Sequence, residues 1–356
     1  MSFRWQVLFW LTAFVIFILV LWLLREILLP FVAGMALAYL LDPVVKRIEG
    51  VGVNRSLATV AVVALFVIAF VLLIILIVPI LGAQLTAFID RLPGYIERLQ
   101  ALVTDPSRPW LRKVVGEGFR DADVSELVKQ GSGYLATFLR SLWSGGQALI
   151  SIFSLIVVTP VVAFYVLHDF DRMVATVDNW VPLPYRETVR AIARDINSAI
   201  GAFVRGQTAV CLILGSYYAV ALSLTDLNFG LLIGLVSGII SFVPYVGSLT
   251  GIVLALGIAI AQFWPAWTPI LIVAGVFFVG QFLEGYVLAP KLVGESIGLH
   301  PVWLMFALFA FAYLFGFVGM LLAVPLAAAS GVLVRFALRQ YLASRLYTGE
   351  GPPLAP

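Results

Sequence analysis

Glu284 is the residue of this chain best placed to do chemistry. It is a carboxylate near the end of an apolar run from 268 to 288, with Gln281 one turn before it and Lys291 seven residues after it, beyond Pro290. A charged group at membrane depth is costly and marks either a pathway or a paired contact. Glu284 therefore either carries a proton or hydrogen-bonds a polar substrate, or it pairs with Lys291 or Arg205 or simply reaches the interface. Gln207, Ser237, Ser241, Gln262 and Gln281 add neutral hydrogen-bonding groups inside apolar runs. Such groups suit an uncharged, polyhydroxylated solute and serve equally as helix-to-helix contacts. Enzymatic chemistry finds little footing, because the chain has no His-Glu-x-x-His, Gly-x-Ser-x-Gly or Gly-x-x-x-x-Gly-Lys pattern. One cysteine, Cys211, and two histidines, His168 and His300, leave no intrachain disulfide and no Cys-His cluster, so no cofactor or metal is expected.

The elements that must position these groups are unusual. From 229 to 331 the sequence is almost wholly apolar and is interrupted twice, at Phe242-Val-Pro-Tyr-Val-Gly247 and at Leu314-Phe-Gly-Phe-Val-Gly319. The apolar runs leading to the breaks, 230–243 and 302–315, would each cover roughly 21 Å, short of a bilayer core of about 30 Å. Pro244 lacks an N–H and disfavours helix at Val243, and Gly247, Gly316 and Gly319 permit backbone angles that other residues avoid. Broken backbone survives at membrane depth only where it is buried in protein or lines a wet cavity. Tyr245-Val-Gly247 and Phe317-Val-Gly319 match at an offset of 72 residues, which suggests an inverted repeat.

With 62% hydrophobic and 12% charged residues in 356, and a mean hydropathy of +1.06, the chain reads as an all-α, polytopic membrane protein. About eight membrane segments are expected, two of them broken or re-entrant hairpins, with amphipathic helices at the interface. Residues 1–81 hold spans at Val7–Leu24, Ile27–Leu41 and Leu57–Leu81; the first is read as a retained span, not a signal peptide, and the second is expected to end at Asp42-Pro43. Residues 82–146 carry eight Lys or Arg and seven Asp or Glu. They read as two amphipathic helical regions, with a loop at Asp105-Pro-Ser-Arg-Pro109 between them, outside the cytoplasm. Residues 147–224 comprise a span at Leu149–Leu167, a basic amphipathic helix at 184–206 and a span at Gln207–Leu224. Residues 225–340 form the core with both broken hairpins, and 341–356 a cytoplasmic tail.

Positive charge in the 42–56 loop, the 168–206 segment and the C-terminus puts these on the cytoplasmic side, together with the N-terminus. The first broken pair then enters and leaves from outside and the second from the cytoplasm. The net charge of +3 is accounted for by membrane orientation, and no nucleic-acid partner is inferred.

The residues around the breaks resemble the autoinducer-2 exporter family, also called the PerM permease family. The likeness rests on Phe242-Val-Pro-Tyr-Val-Gly247, Phe282-Leu-Glu-Gly-Tyr-Val-Leu-Ala-Pro-Lys-Leu-Val-Gly294, Gly298-Leu-His-Pro301 and Leu314-Phe-Gly-Phe-Val-Gly-Met-Leu-Leu-Ala-Val-Pro-Leu-Ala327. Leu41-Asp-Pro-Val44 and Arg205-Gly-Gln207 extend it over nearly the whole chain. His168 and Ser248 stand where the family often has Lys and Pro. The resemblance implies an oligomeric bacterial inner-membrane transporter; named substrates in the family include the quorum-sensing signal autoinducer-2, and some members look like sodium-proton antiporters.

The reading is an exporter of a small polar solute. Its pathway is expected at Pro244, Tyr245, Gly247, Gln281, Glu284, Lys291, Gly316 and Gly319, with Arg205, Gln207 and Ser241 in support. The alternatives are a sodium(lithium)/proton antiporter using Glu284 and, from another class, a non-transporting membrane scaffold that binds partners through 82–146. Expected partners are the lipid bilayer, the solute or cation, and further copies of the chain.

Overall fold

A computed structural model of the chain describes residues 3–24, 27–104, 146–244, 246–293, 300–344 and 347. Tyr245, the Asp105–Pro109 loop, the second amphipathic region of 82–146, Gly294, Gly298 and the end of the tail lie outside the described residues. Among the described residues the secondary structure is helical throughout. In order these are α1 (Phe3–Leu23), α2 (Leu28–Glu49), α3 (Arg55–Thr104), α4 (Gly146–Trp180), a 3-10 turn (Leu183–Tyr185) and α5 (Arg186–Leu224). They are followed by α6 (Gly230–Ile240), α7 (Val246–Phe263), α8 (Trp267–Phe282), a π-helical stretch (Leu283–Val293) and α9 (Pro301–Leu342). Six helical stretches among the described residues are long and apolar enough to cross a bilayer: Leu28–Glu49, Arg55–Phe88, Leu183–Leu224, Val246–Phe263, Trp267–Val293 and Val302–Leu342. The chain is a multi-pass membrane protein. The first and fourth expected spans are also helical, as α1 and as part of α4.

Several helices run further than expected. α2 passes through Asp42-Pro43 to Glu49. Pro43 removes one donor, but Leu37, Ala38, Leu41 and Val45 continue one buried face past it, and that packing outweighs the lost bond. α3 does not stop near Leu81; it runs on through Thr104, so the first amphipathic region of 82–146 is the end of a 50-residue helix about 75 Å long. The basic amphipathic segment likewise continues into the next span as the single helix α5.

The chain divides into two compact units. Met1–Leu65, Ser154–Gln207 and Lys291–Pro356 form the first, and Phe66–Phe153 and Thr208–Pro290 the second. In the first unit α2 packs on α9, and Gly34 presses on Val162 and the Thr159 carbonyl of α4, where a Cβ would find Val162 at 2.7 Å. Arg55 donates from Nε and Nη2 to the Leu167 carbonyl, at 3.0 and 2.8 Å, and pairs with Asp171, which ties the start of α3 to α4. At the junction of α4 and α5, Arg190 grips both carboxylate oxygens of Asp178 at 2.8 and 2.7 Å.

In the second unit α6 packs on α7 and α7 on α8. Gly230, Gly234 and Gly238, four residues apart on α6, lie directly against the α5 backbone at Leu222, Tyr218–Ala219 and Gly215, and a Cβ at any of the three would collide there. Small residues at this spacing let membrane helices approach closely.

Candidate functional site

Glu284 is the second residue of the π-helical stretch that follows α8. Pro290 lies inside this stretch and cannot donate a backbone hydrogen bond, and wide π-type turns of this sort are frequent at functional sites. Glu284 is half-buried, and its Oε2 accepts a hydrogen bond from Gln281 Nε2 at 3.2 Å. Gln281, one turn before Glu284, is thus its hydrogen-bond partner.

Beside them in the second unit stands Tyr218 of α5, a residue that sequence reasoning missed. It is fully buried and stacks on Phe277 of α8 with ring centroids 4.7 Å apart. Its hydroxyl is enclosed next to Gly280, where a Cβ would strike the phenol ring and oxygen. Gln281 approaches this hydroxyl without completing a hydrogen bond of normal geometry. The neighbouring Tyr217 Oη donates to the Val276 carbonyl at 3.0 Å, so two tyrosines of α5 hold α8 in place. The result is a polar row running from the buried Tyr218 to the exposed Gln281 and the half-buried Glu284. Tyr218 sits in an ordinary apolar run, and only its offset of four from Leu214 and Leu222, both buried, hinted at an inward position.

The first break joins α6 to α7. At 11 residues α6 is about 16 Å long, too short to cross a bilayer core. Ser237 Oγ donates to the Ile233 carbonyl at 2.6 Å and Ser241 Oγ to the Ser237 carbonyl at 2.8 Å, a back-bonding pattern that bends helices. Pro244 is half-buried in the turn that follows. Gly247 then abuts Ser241 so closely that a Cβ would meet its backbone nitrogen. Gly247 is thus needed for close approach, not for the unusual backbone angles expected from the sequence; positive φ among described glycines occurs at Gly52 and Gly316.

Gln262 has a different task from the solute contact considered above. It accepts from the Asn228 backbone N–H at 2.9 Å and donates to the Asp226 carbonyl at 2.8 Å, and Asn228 Nδ2 donates to Tyr95 Oη at 2.8 Å. These bonds hold the α5–α6 loop, where Asp226 and Phe229 both have positive φ.

The remaining candidates belong to the first unit. Gly316 interrupts α9 with φ 62° and ψ −139°. Gly319 lies against the carbonyl of Phe311, eight residues earlier, and a Cβ would collide with it. Eight residues span about 12 Å along a straight helix, so this contact requires the chain to turn sharply at Gly316. Here too Gly319 serves close packing and Gly316 alone has the special angles. Gly206 lies flat against the Leu292 carbonyl, which explains the glycine of Arg205-Gly-Gln207; Gln207 is buried, and Arg205 and Lys291 are exposed. Among the described residues no cluster of His, Cys, Asp and Glu could hold a metal ion.

The model of the AI-2E family of transporters matches residues 11–339. A Bacillus subtilis (strain 168) protein named "Putative transport protein YrrI" is 32% identical over 338 residues, covering 92% of this chain and 93% of that protein. In Escherichia coli (strain K12), "AI-2 transport protein TqsA" is 29% identical over 88% of this chain and 86% of its own length. "Putative permease PerM" of the same organism is 27% identical over 85% and 84%. A match over residues 11–339, with relatives similar along most of their own length, places the chain in the AI-2E family of transporters: it belongs to that family.

Proposed function

We propose that this transporter exports a small, polar, uncharged solute of the autoinducer-2 type across the bacterial inner membrane, with Glu284 as its solute-binding or coupling carboxylate. The observation that carries the proposal is the half-buried Glu284, bonded to Gln281 beside the enclosed Tyr218 at the start of a π-helical stretch. A carboxylate kept at membrane depth with a neutral partner can change protonation or hydrogen-bond a solute hydroxyl. The likeness to TqsA, named as an AI-2 transport protein, supports the solute class. The breaks around Pro244–Gly247 and Gly316–Gly319 serve as re-entrant hairpins that move during transport, and the working form is a homo-oligomer.

Flux into proteoliposomes tests this. Autoinducer-2 movement independent of sodium, reduced about tenfold or more by Glu284→Gln, is expected from the loss of one charge-assisted hydrogen bond. Sodium-dependent proton flux abolished by Glu284→Gln would replace export with antiport. Wild-type flux retained in the mutant would remove Glu284 from the mechanism.

A further inference from the structure

Within the first unit, α2, α4 and α5 line a cavity of about 200 Å³, of which the transport reading uses Arg205 alone. Tyr39, Asp42 and Lys46 reach it from α2 and Asn197 and Arg205 from α5, while Phe170 and its neighbours on α4 form an apolar back wall. The α2 residues are spaced by three and four, and the α5 pair by eight, so each set lies along one face of its helix.

The cavity is rich in donors. Tyr39 Oη donates to Asn197 Oδ1 at 2.8 Å, which uses the amide oxygen and leaves the Nδ2 hydrogens for a ligand. Lys46 Nζ pairs with Asp42 Oδ2 at 2.8 Å, with the lysine side chain 62% exposed. An exposed pair of this kind is weak, so it masks the one carboxylate in the wall while leaving the lysine able to turn to a stronger partner. Arg205 folds back over Gly201, where a Cβ would come within 3.0 Å of Nη1, so the glycine makes room for the guanidinium. Two cations face a single, already paired carboxylate. A planar guanidinium and an ammonium lining one cavity match the oxygens of a phosphate. The volume is below the roughly 300–1,000 Å³ of sites that hold whole drug-sized molecules, and suits a phosphate with a few attached atoms.

We propose that this cavity binds a phosphate group, carried either by the headgroup of an anionic phospholipid or by a soluble phosphate ester. The test uses the full chain purified in detergent, with binding read by native mass spectrometry against phosphatidylglycerol, glycerol 3-phosphate and, as a phosphate-free control, diacylglycerol. At least one phosphate carrier binds, and diacylglycerol does not. Binding to phosphatidylglycerol alone assigns the headgroup; binding to glycerol 3-phosphate as well assigns a freely accessible phosphate site. Arg205→Gln weakens binding about tenfold and Lys46→Gln several-fold. Arg47→Gln, which removes the same charge from α2 at a residue that does not line the cavity, leaves binding unchanged. Should Arg205→Gln fail to fold, Lys46→Gln against Arg47→Gln decides. Failure of both phosphate carriers to bind, or equal loss in Arg47→Gln, overturns the proposal.

Discussion

Gly316 and Gly319 stand three residues apart in α9 and exclude a side chain for different physical reasons. At Gly316 nothing lies within 4 Å of a Cβ, but its φ of 62° and ψ of −139° belong to a region open almost only to glycine. Gly316→Ala is therefore expected to cost about 1–3 kcal/mol of stability through backbone strain. Gly316→Asn brings no relief, because asparagine tolerates positive φ only with positive ψ. At Gly319 the backbone is ordinary and the obstacle is the Phe311 carbonyl. There a larger side chain is worse than alanine, so Gly319→Val unfolds at lower denaturant than Gly319→Ala. Unfolding in detergent of Gly316→Ala, Gly316→Val, Gly319→Ala and Gly319→Val separates the two mechanisms. A steep dependence on side-chain size at Gly316 would refute the strain account. Glu284, Gln281, Gly316 and Gly319 were all legible as candidates in the sequence. The reason each glycine is required was not, because close approach and backbone angle leave the same letter.

Helices α5 and α6 show what glycine spacing does for an element. Gly238→Ala pushes a methyl group into the Gly215 backbone and is expected to cost about 1–3 kcal/mol. Gly257, in the neighbouring α7, has nothing within 4 Å of a Cβ, so Gly257→Ala is expected to be neutral or to stabilise by up to about 1 kcal/mol through helix propensity. Thermal unfolding of the two variants in the same detergent checks the contrast. The four-residue spacing of Gly230, Gly234 and Gly238 was visible in the sequence, but the face of α5 that receives it depends on how the α5–α6 loop turns.

The junction of α4 and α5 adds a pH-dependent contact. The hydrogen bond from Arg190 holds the Asp178 carboxyl below the usual carboxylate range. A carboxyl lowered on folding stabilises fully above its ordinary pKa of about 3.9 and loses that contribution as pH falls through the lowered value. Amide protection factors at 174–190, which remove the pH dependence of base-catalysed intrinsic exchange, should thus be the same at neutral pH and at about pH 5, and should fall at both in Asp178→Asn. Lower protection in the wild type at about pH 5 would contradict the pairing.

For the whole molecule, charge distribution makes a topological prediction. Cys211 is the only cysteine, so a Cys211→Ser background permits single reporters. Cysteines placed at Arg47 and Arg172 should react only with reagents that reach the cytoplasmic face, and one at Asp226 only with reagents outside. Labelling of Arg47→Cys from outside would invert the orientation. A cysteine at the break itself, Pro244→Cys, separates a re-entrant α6–α7 pair from two complete crossings: both return the chain to the side of Asp226, but only complete crossings expose the break to reagents at the cytoplasmic face.

Composition alone determined that this is a helical membrane protein, because a chain 62% hydrophobic can satisfy its backbone in lipid only through helices or a closed barrel, and its long unbroken apolar runs select helices. Sequence also placed both interruptions, through Pro244 and Gly316, whose effect is on local backbone geometry and needs no partner. The length of α2 was decided by tertiary packing, at Val45, which carries a buried face past Pro43. The enclosure of Tyr218 beside Gln281, and the convergence of Tyr39, Lys46 and Arg205 on one cavity, likewise required the fold. Residues more than 60 apart in sequence meet there, and no local pattern encodes which helix face meets which.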